Sequence, residues 1–166
     1  MLVAKRIQDL DFTKLMAVYA DSNIVNGREC YRNDSAFDQI RLAEEDFYRY
    51  LVEVFFRQKG ALYFILTETN EYVSALRVEP YQDGVLIQAL ETRPDVRRRG
   101  FAKALLMEAL RYLGQSACKK VYSHITKSNI PSLKTHLSCG FAEILDYAKY
   151  VDGTVSSNAV TMCKEL

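Results

Sequence analysis

The sequence has no tryptophan, two histidines, three prolines and seven glycines among its 166 residues. Cysteine is sparse as well: Cys30, Cys118, Cys139 and Cys163 stand far apart, with no CxxC pair. With only His124 and His136 beside them, neither a disulfide framework nor a zinc site is written into the chain. The cysteines are expected to be reduced and mostly buried, as in a cytoplasmic protein. No unbroken apolar run is longer than Ala61–Leu66, far short of the ~20 residues of a membrane span. The opening MLVAKRIQDLD puts charge where a secretory core would lie, so no signal peptide is expected. Charge of one sign is missing too. Lys plus Arg (22) nearly cancels Asp plus Glu (21), and a net charge of +1 supplies no global field to recruit nucleic acid or an anionic membrane. With 49% hydrophobic residues and so little glycine and proline, disordered and collagenous classes are excluded. One ordinary domain over residues 1–166 is expected, long enough to bury roughly 70% of the surface its unfolded chain exposes.

The apolar spacing alternates between strand and helix periods. Leu2–Ile7 reads as a short strand and Asp11–Tyr19 as a helix, while Asn23–Arg41 is polar and reads as irregular. Phe47, Leu51, Val54, Phe55 and Gln58 give a helix over Glu44–Gln58 that Gly60 stops. Strands follow at Ala61–Glu68, Tyr72–Tyr81 and Gly84–Arg93, joined by Thr69-Asn70 and Asp83-Gly84 as an antiparallel meander. Gly100–Leu113 carries a continuous apolar stripe from Ala102 to Leu113 and reads as a helix. Lys120–Thr126 is a strand, and Asn129–Ser138 a short helix with Pro131 in its first turn. Phe141–Val151 and Thr154–Lys164 close the chain as a hairpin about Asp152-Gly153. The order is β-αα-βββ-α-β-α-ββ, an α/β (α+β) layer of helices on a largely antiparallel sheet.

Between a strand and a helix lies Thr92-Arg-Pro-Asp-Val-Arg97-Arg98-Arg99-Gly100-Phe101-Ala102. Pro94 ends the strand, and the first amides of the helix beyond it have no partner within the helix. Those N–H groups and the helix dipole make an anion site that Gly100 lets a ligand approach closely. Cations at a helix N-terminus cost about 0.3–1 kcal/mol each, so the arginines here read either as a solvated charge run or as the surroundings of a bound anion. The stretch is neither GxxxxGK[ST] nor GxGxxG.

It does resemble the acetyl-CoA loop of the GCN5-related N-acetyltransferases (GNAT), [Q/R]-x-x-G-x-[G/A], as Arg97-Arg98-Arg99-Gly100-Phe101-Ala102, with Thr92-Arg93-Pro94 where the family usually has V-x-P. A second family motif, N-x-x-[AS]-x-x-x-Y-x-x-x-G-F, is matched by Asn129, Ser132, His136, Gly140 and Phe141. The element order agrees from end to end. The resemblance implies the GNAT fold, acetyl-CoA as cosubstrate without a metal, and direct attack by a primary amine in a ternary complex. It places the pyrophosphate on the amides of Arg98 to Ala102 and the pantetheine arm beside Leu90 and Thr92. Asn129 and Ser132 would contact the cofactor arm from the facing helix, Asn129–Ser138.

The chain departs from the family at His136, where a tyrosine commonly protonates the leaving thiolate. Neutral imidazole can hydrogen-bond the sulfur, and a histidine satisfied by a neighbour is the other reading. The base expected from the resemblance is a glutamate on the central strands, Glu91 or Glu79. Simple alternation puts Glu91 on the side of Val85, Ile87 and Ala89. His124 reads as structural. The acceptor site is expected between Asn23–Asp46 and Tyr147–Ser157, with Tyr31, Tyr147 and Tyr150 as flat contact surfaces, and the acceptor is a small-molecule or peptide amine. Neither nucleic acid nor membrane is expected as a partner, and a homodimer is left open. A CoA-binding regulatory module of the same fold and a basic nucleic-acid patch at Arg93–Arg99 are the competing readings.

Overall fold

A computed structural model describes the whole chain, Met1 to Leu166. Seven strands form one sheet in the order β1-β2-β3-β4-β5-β9-β6. They are β1 (Leu2–Ala4), β2 (Leu62–Glu68), β3 (Glu71–Tyr81), β4 (Gly84–Thr92), β5 (Lys120–Thr126), β6 (Ala142–Leu145) and β9 (Ala159–Glu165). A separate ribbon pairs β7 (Ala148–Lys149) with β8 (Val155–Ser156). All neighbours in the large sheet are antiparallel except β4 and β5, which α4 (Phe101–Gly114) connects as a parallel crossover. The α/β class and its largely antiparallel sheet are therefore as the sequence predicts.

Two apolar layers hold the sheet between helices. Leu105, Leu106, Ala109 and Leu110 of α4 pack with Phe64, Leu76, Val78 and Ile87, and α5 (Ile130–Ser138) closes the same face through Leu133, with Cys139 and Phe141 following it. The opposite face carries α1 (Phe12–Val18), α2 (Ala20–Cys30) and α3 (Ala36–Glu53), where Leu15, Val18, Tyr19, Leu51 and Phe55 cover Tyr63, Ile65 and Ala75. Burial of these side chains is the main source of stability, on the order of 25 cal/mol per Å² of apolar surface.

Several elements differ from the sequence expectation, each for a physical reason. Asn23–Arg41 is mostly helical rather than irregular, with only residues 31–35 forming a turn between α2 and α3. Residues 23–30 lie within α2, whose only buried residues are Asn23 and Gly27, so it carries almost no apolar stripe to read. Gly27 is where α2 and α3 touch, because a Cβ there would collide with the Gln39 carbonyl. Ser35 caps α3 by accepting from Asp38 N at 3.2 Å, which starts that helix eight residues before Glu44. It ends at Glu53 because Val54 leaves helical space, and Phe55 fills the core from a 3₁₀ turn instead. The first strand stops at Ala4, where the amides of Lys5 and Arg6 turn to the Asp9 carboxylate. The closing segments do not form one continuous hairpin: their far ends pair in the main sheet as β6 with β9, while beside Asp152-Gly153 they form the separate β7–β8 ribbon. All four cysteines are unpaired, but only Cys139 is buried, so the expectation of mostly buried cysteines fails. No helix is long and apolar enough to cross a membrane.

Candidate active site

The site begins with a defect in β4. Arg77 of β3 faces Gln88, yet Ala75 faces Glu91, so β4 holds one more residue than β3 across this interval. The bulge sits at Ala89, whose φ of +49° is rare for a residue with a side chain. Two buried tyrosines brace it: Tyr19 Oη donates to the Ala89 carbonyl at 2.8 Å, and Tyr63 Oη donates to Tyr19 Oη at 2.8 Å. Beyond the bulge β4 parts from β5, for their parallel pairing covers only Val85–Ile87 against Val121–Ser123. The strand edge from Gln88 to Thr92 is thereby free to pair with a ligand.

The extra residue also turns Glu91 over. Val85 and Ile87 pack toward α4, whereas Glu91 lies on the opposite face, where Ser22 Oγ of α2 donates to its carboxylate at 2.5 Å. Simple alternation misplaces it relative to Val85 and Ile87 because a bulge shifts the side-chain period by one. Burial raises the Glu91 pKa; the Ser22 hydrogen bond and the Arg97 charge pull it back, and Asp21 pushes it up again. Glu79, the other glutamate considered as base, is only 4% exposed and accepts from Gln88 Nε2 at 2.5 Å. It stands behind Gln88 and does not line the cleft.

After β4 a 3₁₀ turn, Pro94–Val96, leads into the arginine loop. Arg98 (φ +65°) and Gly100 (φ +85°) are both left-handed, and Gly100 is the N-cap of α4. Alternating left-handed residues turn successive backbone N–H groups toward one concavity, and the helix N-terminus adds its positive end. The arginine side chains are largely engaged elsewhere. Arg93 binds Asp95 and lies 3.6 Å from Glu71. Arg97 binds Asp21 at 2.5 Å and donates through Nε to the Thr92 carbonyl. Arg99 binds Glu68 at 3.1 Å and covers the Phe101 ring. Arg98 alone stands apart from these pairs, so the anion site is made chiefly of backbone.

Across the cleft, Asn129 caps α5 by accepting from Ser132 N at 3.1 Å. His136, one helical turn on from Ser132, is 1% exposed and edges onto Phe141. Its Nδ1 lies 2.9 Å from the Ser132 carbonyl oxygen. A carbonyl only accepts, so Nδ1 carries the proton; burial lowers the ring's pKa despite this bond, and the resting ring is neutral. Nε2 is then a bare lone pair, buried and without a partner.

These parts meet in one cleft of 910 Å³ that spans the parting of β4 and β5. Leu90, Glu91, Thr92, Arg97, Arg98, Gly100, Phe101, Ala102, Asn129, Ser132 and His136 all line it; Arg99 does not, being turned to Glu68. Ser22, Gln88 and His124 also line it and were not picked out for it by sequence. Ser22 lies in a helix with no apolar stripe to mark its faces. His124 sits between the rings of Tyr81 and Tyr150, and neither of its ring nitrogens has a partner. Its strand position gave no sign of that.

Residues 28–141 match the family model described as Acetyltransferase (GNAT) family, and the chain belongs to that family and is an acyltransferase. No curated protein matches it significantly. Among solved structures it resembles the ribosomal-protein-alanine N-acetyltransferase of Brucella melitensis, with 16% identity over all of both chains and a TM-score of 0.62. It resembles the PaiA N-acetyltransferase of Thermoplasma acidophilum, solved with coenzyme A, at 13% identity over 99% of this chain and 98% of that one, TM-score 0.62. The ribosomal-protein-S18-alanine N-acetyltransferase of Escherichia coli shares 20% identity over 74% of this chain and 76% of its own, TM-score 0.55. These likenesses bear out the fold.

Proposed function

We propose that the protein transfers the acetyl group of acetyl-CoA to a primary amine that attacks the thioester directly, with both substrates bound at once. The observation that carries this reading is the single cleft joining the backbone anion site at Gly100 to the free edge of β4, with Glu91 at the same opening. The residues fit the cosubstrate. Amides of Arg98 to Ala102 hold the pyrophosphate, the β4 edge near Leu90 and Thr92 pairs with the pantetheine amides, and Asn129 and Ser132 flank the arm. A Cβ at Gly100 meets no protein atom within 4 Å, so the space above that backbone is open to a ligand.

The amine enters from the face of α2 and the β7–β8 ribbon, past Glu91, Gln88, His124 and Tyr150. Tyr31 is less available for such contact, since its hydroxyl is bound to the Asp46 carboxylate. Glu91, held by Ser22, takes in its ionised form the proton the amine must lose, directly or through water; an alkyl ammonium with pKa ~10.4 needs that help at neutral pH. The amine lone pair forms the new C–N bond as the C–S bond breaks, and the sulfur leaves with its electron pair. Overall, amine and acetyl-CoA become amide and CoA thiol.

The test is thiol release from acetyl-CoA in the presence of a panel of primary amines and N-terminal peptides, with the acetylated product weighed by mass spectrometry. Amine-dependent release is expected. Tight binding of acetyl-CoA with no release across the panel would instead identify a non-catalytic CoA-binding module.

A further inference from the structure

The orphaned nitrogen of His136 sits where the family commonly has a proton donor, yet in this chain it has nothing to donate. Nδ1 spends the ring's one proton on the Ser132 carbonyl at 2.9 Å, and Nε2 is left as a buried acceptor on a side chain that lines the cleft. A buried acceptor without a donor is costly, and the cost is recovered only by a ligand that brings an N–H, O–H or S–H to it. At the sulfur end of the cosubstrate the thioester carries an acetyl group and no hydrogen on sulfur, whereas the free thiol carries a hydrogen it can donate.

We propose that His136 reads the state of the sulfur, binding the CoA thiol in preference to acetyl-CoA by accepting S–H at Nε2. This deepens the reading of the cleft as an acetyl-CoA site and rests on it. The leaving sulfur departs as thiolate, takes up through solvent the proton given up by the amine, and then donates it in a hydrogen bond to Nε2. His136 is thus a product-holding residue, and the enzyme is expected to be strongly inhibited by its own product. Nδ1 has two oxygens of Ser132 in range, the carbonyl at 2.9 Å and the hydroxyl at 3.4 Å; the nearer one only accepts, so the alternative tautomer, with the proton on Nε2, would set the Nδ1 lone pair against those of the carbonyl for the sake of a longer bond from the hydroxyl.

The experiment is calorimetric titration with CoA, acetyl-CoA and S-methyl-CoA, in which the methyl group removes the donor and little else. A neutral hydrogen bond at a buried acceptor corresponds to about three- to tenfold in affinity. CoA is expected to bind that much more tightly than either capped form. His136→Phe abolishes the preference, and His136→Gln, whose amide oxygen reaches the position of Nε2, retains part of it. The wild-type ligand series needs no variant to fold. Equal binding of CoA and S-methyl-CoA, or a preference that survives in folded His136→Phe, overturns the inference while leaving the cofactor site intact. Binding of none of the three removes the cofactor site itself, and the inference with it.

Discussion

Gly100→Asp is expected to leave the protein folded and to weaken coenzyme A binding by roughly 10²–10⁴-fold. The two effects separate because Gly100 matters to the ligand more than to the chain. In the free protein a Cβ at this position meets nothing, so no neighbour is displaced. The conformation does exact something: with φ at +85°, an L-residue is strained by about 1–2 kcal/mol, although aspartate is among the side chains that tolerate left-handed backbone best. A stable domain absorbs that cost. For the ligand, the carboxylate occupies the concavity formed by the amides and repels the pyrophosphate. Losing two charge-assisted hydrogen bonds at about 1.5–3 kcal/mol each gives the stated range. Circular dichroism and calorimetric titration on the same sample decide the matter. A folded variant that binds CoA like the parent places the pyrophosphate in another loop.

Glu91→Gln is expected to lower turnover by roughly 10²–10⁴-fold, the usual worth of a general base, with acetyl-CoA affinity changed less than threefold. Glutamine keeps an oxygen to accept from Ser22 Oγ, so the fold around α2 is preserved while the proton acceptor is lost. The pH dependence supplies a second readout. A base works only when ionised, and burial has raised the Glu91 pKa, so the rate climbs as pH rises through that raised value. The same shift favours the protonated form in the folded state, so Glu91's contribution to stability is greatest at low pH and is lost as pH rises through the folded pKa. In Glu91→Gln both dependences flatten. Turnover within threefold of the parent, measured with an amine that the wild type acetylates, would leave water or another group as the base.

The anion loop was legible because its chemistry is local. Pro94, Gly100 and the following apolar stripe mark a strand end, a point of close ligand approach and a helix start in nearby residues. Asn129 was legible for the same reason, through its spacing to Ser132, His136 and Gly140, and the structure adds that it caps α5. What could not be read depends on contacts distant in sequence. The bulge at Ala89 leaves no mark of its own; it is fixed by Tyr19, 70 residues away, with Tyr63 behind it. Without the bulge, alternation assigns Glu91 to the wrong face relative to Ile87. The arginine run looked like free positive charge until Asp21, Glu71 and Glu68 arrived from other elements to bind three of its members. His136 was identified by position, but its tautomer follows from a geometry that only the folded α5 creates.

Hydrogen–deuterium exchange with and without acetyl-CoA tests the central claim most directly, because that claim is about which backbone amides hold the cosubstrate. Saturating acetyl-CoA is expected to slow exchange at the amides of residues 98–103 and along the β4 edge from Leu90 to Thr92, with little change in the β7–β8 ribbon. Unchanged exchange at residues 98–103 under conditions where acetyl-CoA is bound would contradict the account.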